Sequence, residues 1–318
     1  MPVDELYHRQ VALLVQTIPL VAEERCFALK GGTAINLFIR DMPRLSVDID
    51  LTYLPIAGRA ESLNEVDAAM KRIAERIESG IPSARTALSK LDREDCVSKV
   101  IVRANGVQIK LEVTPVTRGC VYEPETKSVS PVVEGEFGYA EIQVVSFPDL
   151  YAGKIVAALD RQHPRDLFDV RDLLANEGID EDLRRAFIVY LISHNRPMVE
   201  VLNPTRHDLT KEFERGFSGM TEQTVSLDDL VLARENLIAS IVGGMPDTHR
   251  QFLLSFKSGA PDWELLGIPN LEKLPAVRWK MDNLARMDQK KRRELLEKLQ
   301  KVLRDESNQL KNSKEINK

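Results

Sequence analysis

The spacing of apolar and polar positions changes repeatedly along this chain, and each change predicts an element. From Asp4 to Pro19 the apolar residues recur at helical intervals, which predicts a packing helix. "RCFALK" is a short apolar run ending at Gly31-Gly32, read as a strand entering a turn. "TAINLFIR" returns to helical spacing at Ala34, Leu37 and Phe38. "SVDIDLTYL" then alternates, with Val47, Ile49 and Leu51 on one face and Asp48 and Asp50 on the other, the pattern of a half-buried strand.

Residues 58–79 predict an amphipathic helix. "VSKVIVRA" and "VQIKLEVTPV" alternate on either side of Asn105-Gly106, a strong local signal for a β-hairpin. Residues 118–141, rich in Gly, Pro and Glu, read as a loop, and "IQVVS" reads as a short strand. From Phe147 the pattern becomes helix after helix, with loops near 203, 218–226, 243–247 and 258–270. The expected organisation is therefore α+β: a mixed sheet with flanking helices over 1–146, then a helical domain over 147–318 with a frayed C-terminal tail.

Composition narrows the class. The chain has 318 residues, 43% hydrophobic and 29% charged, enough for two globular domains with their own cores. A net charge of −5 gives no overall attraction to nucleic acid, so any such partner needs a local basic patch. Three scattered cysteines and five dispersed histidines predict neither a disulfide framework nor a structural zinc site. The first residues mix acids with apolar positions, and no run is long enough to span a bilayer, so a cytoplasmic protein without membrane contact is expected.

The densest chemistry lies in "LKGGTAINLFIRDMPRLSVDIDLTYLP". Asp48 and Asp50 are two apart on a strand, so their carboxylates point the same way from backbone positions about 7 Å apart. Hard oxygen donors so placed suit one Mg²⁺ or a pair of ions about 3.5–4 Å apart. Glu112 in "IKLEV" shares a face with Lys110 and is placed to serve as the third carboxylate. Gly31 and Gly32 let backbone N–H groups approach an anion, with the helix beginning near Thr33 aimed at it.

The order strand, Gly-Gly, helix, D-x-D strand, hairpin, acidic strand resembles the DNA polymerase β-like nucleotidyltransferase superfamily. Within it, "KGGTAINLFIRDMPRLSVDIDL" is similar to the AbiEii/AbiGii-type (MenT-like) toxin nucleotidyltransferases, through Arg44, Ser46, Asp48, Ile49 and Asp50. A second block, "KIVAALDRQHPRDLFDV", resembles that family at Lys154, Ala157, Arg161, Arg165, Asp166 and Asp169. The motifs cover about residues 25–55 and 147–176. Two departures stand out: Gly32 replaces the serine of the broader superfamily's G-S, and Glu112 replaces the more common aspartate.

The resemblance implies an NTP-dependent enzyme that moves an NMP to an RNA acceptor, a tRNA 3′ end, as the toxin of a toxin–antitoxin (abortive-infection) system. A cognate antitoxin protein is the implied partner. Asp48, Asp50 and Glu112 would hold two Mg²⁺, with Mn²⁺ as a substitute, and would join Lys154 and Asp166 as the catalytic set. Lys30, Gly31, Gly32, Thr33, Ser46, Arg161 and Arg165 would bind nucleotide, with Lys154 gripping the triphosphate and the helical domain covering one side of the cleft. Two other readings stay open: transfer to a small molecule such as an aminoglycoside, and a non-catalytic RNA- or protein-binding member.

Some features fit two readings. Arg165 and Asp169, four apart, read either as a helical ion pair or as part of the site. The Lys290–Arg293 cluster, heading a helix with leucines at 295, 296, 299 and 303, reads either as a solvated face or as an RNA contact. Trp263 and Trp279 read as core residues or as stacking platforms for bases.

Overall fold

The structure, a computed structural model, describes residues 3–92, 94–114 and 118–316; the side chains of residues 3, 4 and 305–316 lie outside the description. The chain divides into two compact units, Met1–Ser146 and Phe147–Lys318. The fold class is α+β, as the patterning predicts.

The first unit runs α1 (Val3–Ala22), β1 (Phe27–Lys30), α2 (Gly31–Ala34), β2 (Asp48–Tyr53), α3 (Arg59–Gly80), β3 (Arg85–Lys90), β4 (Val97–Ala104), β5 (Val107–Val113), β6 (Glu125–Ser128), α4 (Pro131–Phe137) and β7 (Glu141–Val144). Its seven strands form one mixed sheet in the order β3-β4-β5-β2-β1-β7-β6. The β2–β5 and β1–β7 pairs are parallel and the others antiparallel. Helix α1 packs on β5 and β7, and α3 on β3 and β4. Ile49, Leu51, Ile109, Leu111 and Val113 are buried in this core. The α1 helix continues through Pro19 to Ala22, three residues beyond its expected end.

The hairpin forms where expected, with Ala104 opposite Val107. Asn105 and Gly106 both have positive φ (50° and 74°), as a two-residue turn of this hand requires.

Two stretches differ from the sequence reading. Residues 118–141, expected as a loop, contain strand β6 and helix α4. Helix α4 has recognisable ends: the Ser130 hydroxyl accepts from the Val133 N–H, Pro131 opens the first turn, and Gly138 closes it at φ 94°. Strand β3, for which no element was expected, is an edge strand exposed along most of its length. No buried face imposes alternation on it. The other edge, β6, reads Glu-Thr-Lys-Ser, and both polar edges discourage pairing with another chain.

The second unit is helical: α5 (Phe147–Arg161), α6 (Pro164–Asn176), α7 (Glu181–Ser193), α8 (Met198–Leu202), α9 (Thr210–Gly216), α10 (Leu227–Ile238), α11 (Asp247–Ser258), α12 (Pro275–Ala285) and α13 (Gln289–Ile316). Side chains set several starts. Asp180 caps α7, and Ser226 with Asp229 forms a capping box at α10. Leu299 and Leu303 of α13 are buried, so its leucine seam packs within the unit. The expected frayed tail falls on residues whose side chains, and in the last two positions the backbone, lie outside the described residues. Among the described residues, no helix is long and apolar enough to cross a membrane.

Candidate active site

Strand β2 presents both aspartates. Its alternation buries Ile49 and Leu51 and leaves Asp48 and Asp50 half-exposed on the opposite face. The neighbouring strands extend that face. Lys30 of β1 stands opposite Asp50, while on β5 Lys110 stands opposite Asp48 and Glu112 opposite Asp50. One strand further, Lys99 of β4 stands opposite Glu112. Directly opposed residues share a sheet face, so Lys30, Asp50, Glu112 and Lys99 form one row, with Asp48 and Lys110 in the next.

Charges of opposite sign meet across these rows. The Lys110 ammonium lies 3.1 Å from Glu112 Oε2 and 3.6 Å from Asp48 Oδ2. Lys99 Nζ is 3.7 Å from the same Glu112 oxygen. Burial works against the charge on Lys110, but Glu112 and Asp48 outweigh it and hold its pKa above that of an ordinary lysine. Lys30 is the contrary case: burial pushes its pKa down, and the opposing pull of Asp50 and Glu112 does not cancel that.

These carboxylates fit a divalent cation by donor chemistry, since all are hard oxygen ligands on adjacent strands. Lys110 Nζ now occupies the position of a positive charge between Asp48 and Glu112. The three acids do not converge within 4.8 Å of one another; among the described residues the set that does is Glu24, Cys26 and Glu65. In that set the Glu24 carboxylate is already taken up by Arg72 (2.7 Å) and Arg76.

The paired glycines pack against this face. Gly31 has φ +78°, and a Cβ there would lie 2.5 Å from Asp50 Oδ2. A Cβ on Gly32 would lie 2.8 Å from both Arg44 Nη2 and Ser46 Oγ. The glycines therefore admit Asp50, Arg44 and Ser46 to the turn, a closeness that the spacing alone did not reveal. The helix begins at Gly31 rather than near Thr33, and continues as a π-helical turn over Ile35–Ile39.

Thr33 is buried, and its hydroxyl donates to the Asp48 carbonyl at 2.5 Å and contacts Ser46 Oγ at 3.2 Å. The Ser46 N–H in turn donates to Tyr7 Oη at 3.2 Å. Thr33, Ser46 and Tyr7 thus hold the segment that leads into β2. The helical spacing around Tyr7 predicts only a packing role for that residue. Lys99 was not singled out, although the two-residue hairpin turn places it opposite Glu112.

The second motif block folds within the second unit. Lys154 of α5 is buried, with its ammonium 2.9 Å from Asp166 Oδ1 and 3.0 Å from Asp169 Oδ2, both on α6. Arg161 reaches Asp166 at 2.5 Å and 2.9 Å. Burial alone would raise the Asp166 pKa, but Lys154 and Arg161 outweigh it and hold the carboxyl well below the usual range. The i,i+4 pairing of Arg165 with Asp169 is replaced by Lys154–Asp169, while the Arg165 side chain is exposed.

The family described as "Nucleotidyl transferase AbiEii toxin, Type IV TA system" matches residues 12–283. The chain belongs to this family and is a nucleotidyltransferase of the toxin class found in type IV toxin–antitoxin systems. Among solved structures it is similar to MenT4, a nucleotidyltransferase toxin from Mycobacterium tuberculosis H37Rv, with a TM-score of 0.53 and 17% identity. That match covers 94% of this chain and 92% of MenT4, and at this identity it shows a shared fold. No curated protein matches the chain significantly.

Proposed function

We propose that this nucleotidyltransferase moves an NMP from an NTP to an RNA acceptor, the 3′ end of a tRNA, and that a cognate antitoxin protein restrains it. The observation that carries the chemistry is the register of β2 with β5, which sets Asp50 opposite Glu112 and Asp48 opposite Lys110. Asp48, Asp50 and Glu112 would hold Mg²⁺, which when bound neutralises charge developing on the transferred phosphate. Lys110, already between two of these acids, offsets part of their negative charge before the cation binds.

The acceptor hydroxyl attacks the α-phosphorus, the α–β phosphoanhydride bond breaks, and pyrophosphate leaves. Glu112 is the carboxylate assigned to accept the hydroxyl proton, and the Gly31–Gly32 turn is assigned to the phosphates through its backbone N–H groups. Lys30, Thr33 and Ser46 shape that turn. Lys154 is assigned to the triphosphate on the strength of the motif, with Arg161 and Arg165 as further cations for nucleotide and Asp166 fixing the lysine's position.

The test is incubation with each α-labelled NTP, Mg²⁺ and total RNA. Label should enter tRNA-sized RNA, and prior periodate oxidation of the RNA 3′ ends should block it. Label that survives oxidation, or that enters a small cationic compound without RNA, overturns the acceptor assignment. Growth arrest on expression of the wild type, absent in Asp48→Ala, tests the toxin activity in cells.

A further inference from the structure

The second unit carries a positive surface that the proposed chemistry does not use. Lys257 lies near the end of α11, Lys280 in α12 and Lys291 at the head of α13. Lys257 and Lys280 are half-buried, yet among the described residues neither has a carboxylate partner. Burial lowers the pKa of Lys257, with Lys291 lowering it further, and burial lowers that of Lys280, with Lys257 adding to the effect. Arg292 joins them: its guanidinium lies against Gly259, where a Cβ would be 2.8 Å from Nη1.

Half-buried ammonium groups such as Lys257 and Lys280, with no carboxylate ion pair among the described residues, are electrostatically unfavourable until an anion arrives. An aromatic ring stands beside them. Trp279 is 49% exposed, with Lys280 Nζ 5.0 Å from its ring centroid. Trp263 differs, since it packs against Phe252 and Phe256 at 5.8 Å and 6.2 Å between ring centroids. An exposed indole with a lysine ammonium at its ring, in a neighbourhood of further cations, matches a chain of phosphates bearing flat bases, because each base offers a face for stacking.

We propose that the end of α11, the Trp279–Lys280 face of α12 and the head of α13 form a docking surface for single-stranded RNA. Lys257, Lys280 and Lys291 take phosphates and Trp279 takes a base. The surface deepens the RNA-acceptor reading and rests on it. It binds RNA through backbone charge and stacking, so it is tolerant of sequence.

The full-length protein can be titrated with a fluorescent single-stranded RNA of about 12 nucleotides, within the ~4–16 nucleotides that comparable surfaces cover. Trp279→Ala should weaken binding about fivefold or more, the range expected for one stacked base. Lys257→Gln with Lys291→Gln should reduce the slope of log affinity against log salt by about 1.4, from two lost phosphate contacts. Both variants should melt no lower than wild type, and Lys257→Arg with Lys291→Arg should retain binding. Affinity and slope unchanged in Trp279→Ala and in the double Gln variant overturn the proposal, as does an acidic peptide that competes fully while Trp279→Ala has no effect. Labelling of total RNA by the wild type reads the acceptor assignment separately. If RNA is labelled but the surface variants bind like wild type, the surface fails and the acceptor reading stands. If the wild type neither labels nor binds RNA, both fail.

Discussion

Asp48, Asp50 and Glu112 lie on the half-exposed face of a sheet with Lys110 among them, whereas Asp166 and Asp169 are buried around Lys154 where α5 packs on α6. Both clusters combine carboxylates with lysines, but their surroundings give the charges different work. On the open sheet face, water screens the ions, so each pair contributes little to stability and can be exchanged for a ligand. Around Lys154, removing one partner leaves charge in a poorly solvated place, so the cluster holds its geometry. Exchangeable charge suits a cation and phosphate site. Locked charge fixes the place of Lys154, the lysine assigned to the triphosphate.

The largest test of this contrast is in activity. Asp48→Ala and Asp50→Ala should each reduce nucleotide transfer by more than the ~10–100-fold that loss of a supporting residue brings to a metal site. Asp48→Ala should change the melting temperature little, since its contact with Lys110 lies on the half-exposed face, while Asp50→Ala should lower it modestly, since Asp50 opposes the burial penalty on Lys30. Transfer rates and thermal melts on the same preparations check this, and a large drop in stability in both variants would make the aspartates structural.

Lys154→Ala should behave oppositely in stability, losing about 3–5 kcal/mol as Asp166 and Asp169 are left buried without their lysine. Denaturant unfolding measures that loss. Lys154→Arg should recover much of the stability, and weaker NTP binding by this folded variant would support a direct phosphate contact, since a planar fork replaces a compact charge.

A smaller effect should appear in acid. The Asp166 pKa is lowered in the folded protein, so its contribution is fully present above the unfolded value of about 3.9 and is lost as pH falls from there through the folded value. Asp166→Asn should therefore be less stable than wild type at neutral pH and show a flatter decline below about pH 4. Melting temperature against pH tests the sign; parallel curves for the two proteins would remove the linkage.

The smallest change is expected at Lys110, which is about one-third exposed on its side chain (32%). Lys110→Met should lower stability by about 1 kcal/mol or less without divalent cations. Added Mg²⁺ should restore that loss more fully than it shifts the wild type, because the cation then supplies the missing positive charge. Equal Mg²⁺ responses in the two proteins would separate Lys110 from the proposed cation site.

Much of the first cluster was legible from local pattern. Period-2 alternation put Asp48 with Asp50 and Lys110 with Glu112, and Asn105-Gly106 set the hairpin register that brings Lys99 to Glu112. The second cluster was legible as a motif but not as a pairing. Spacing on α6 offered Arg165 to Asp169, yet Lys154 from another helix is the partner. Two helices must pack before that choice exists.

The amino-acid order alone determined the elements whose instructions are short-range: the amphipathic helices, the alternating strands β2, β4 and β5, and the hairpin turn. It also marked the Gly-Gly and D-x-D segments. Only the tertiary structure decided that β2 lies between β1 and β5, that Gly31 faces the Asp50 carboxylate, and that polar edge strands β3 and β6 complete the sheet. The physical reason is range. Periodicity records which face of an element is buried, whereas strand order, close approach and ion partners arise from contacts between segments far apart in the chain, formed when burial brings those segments together.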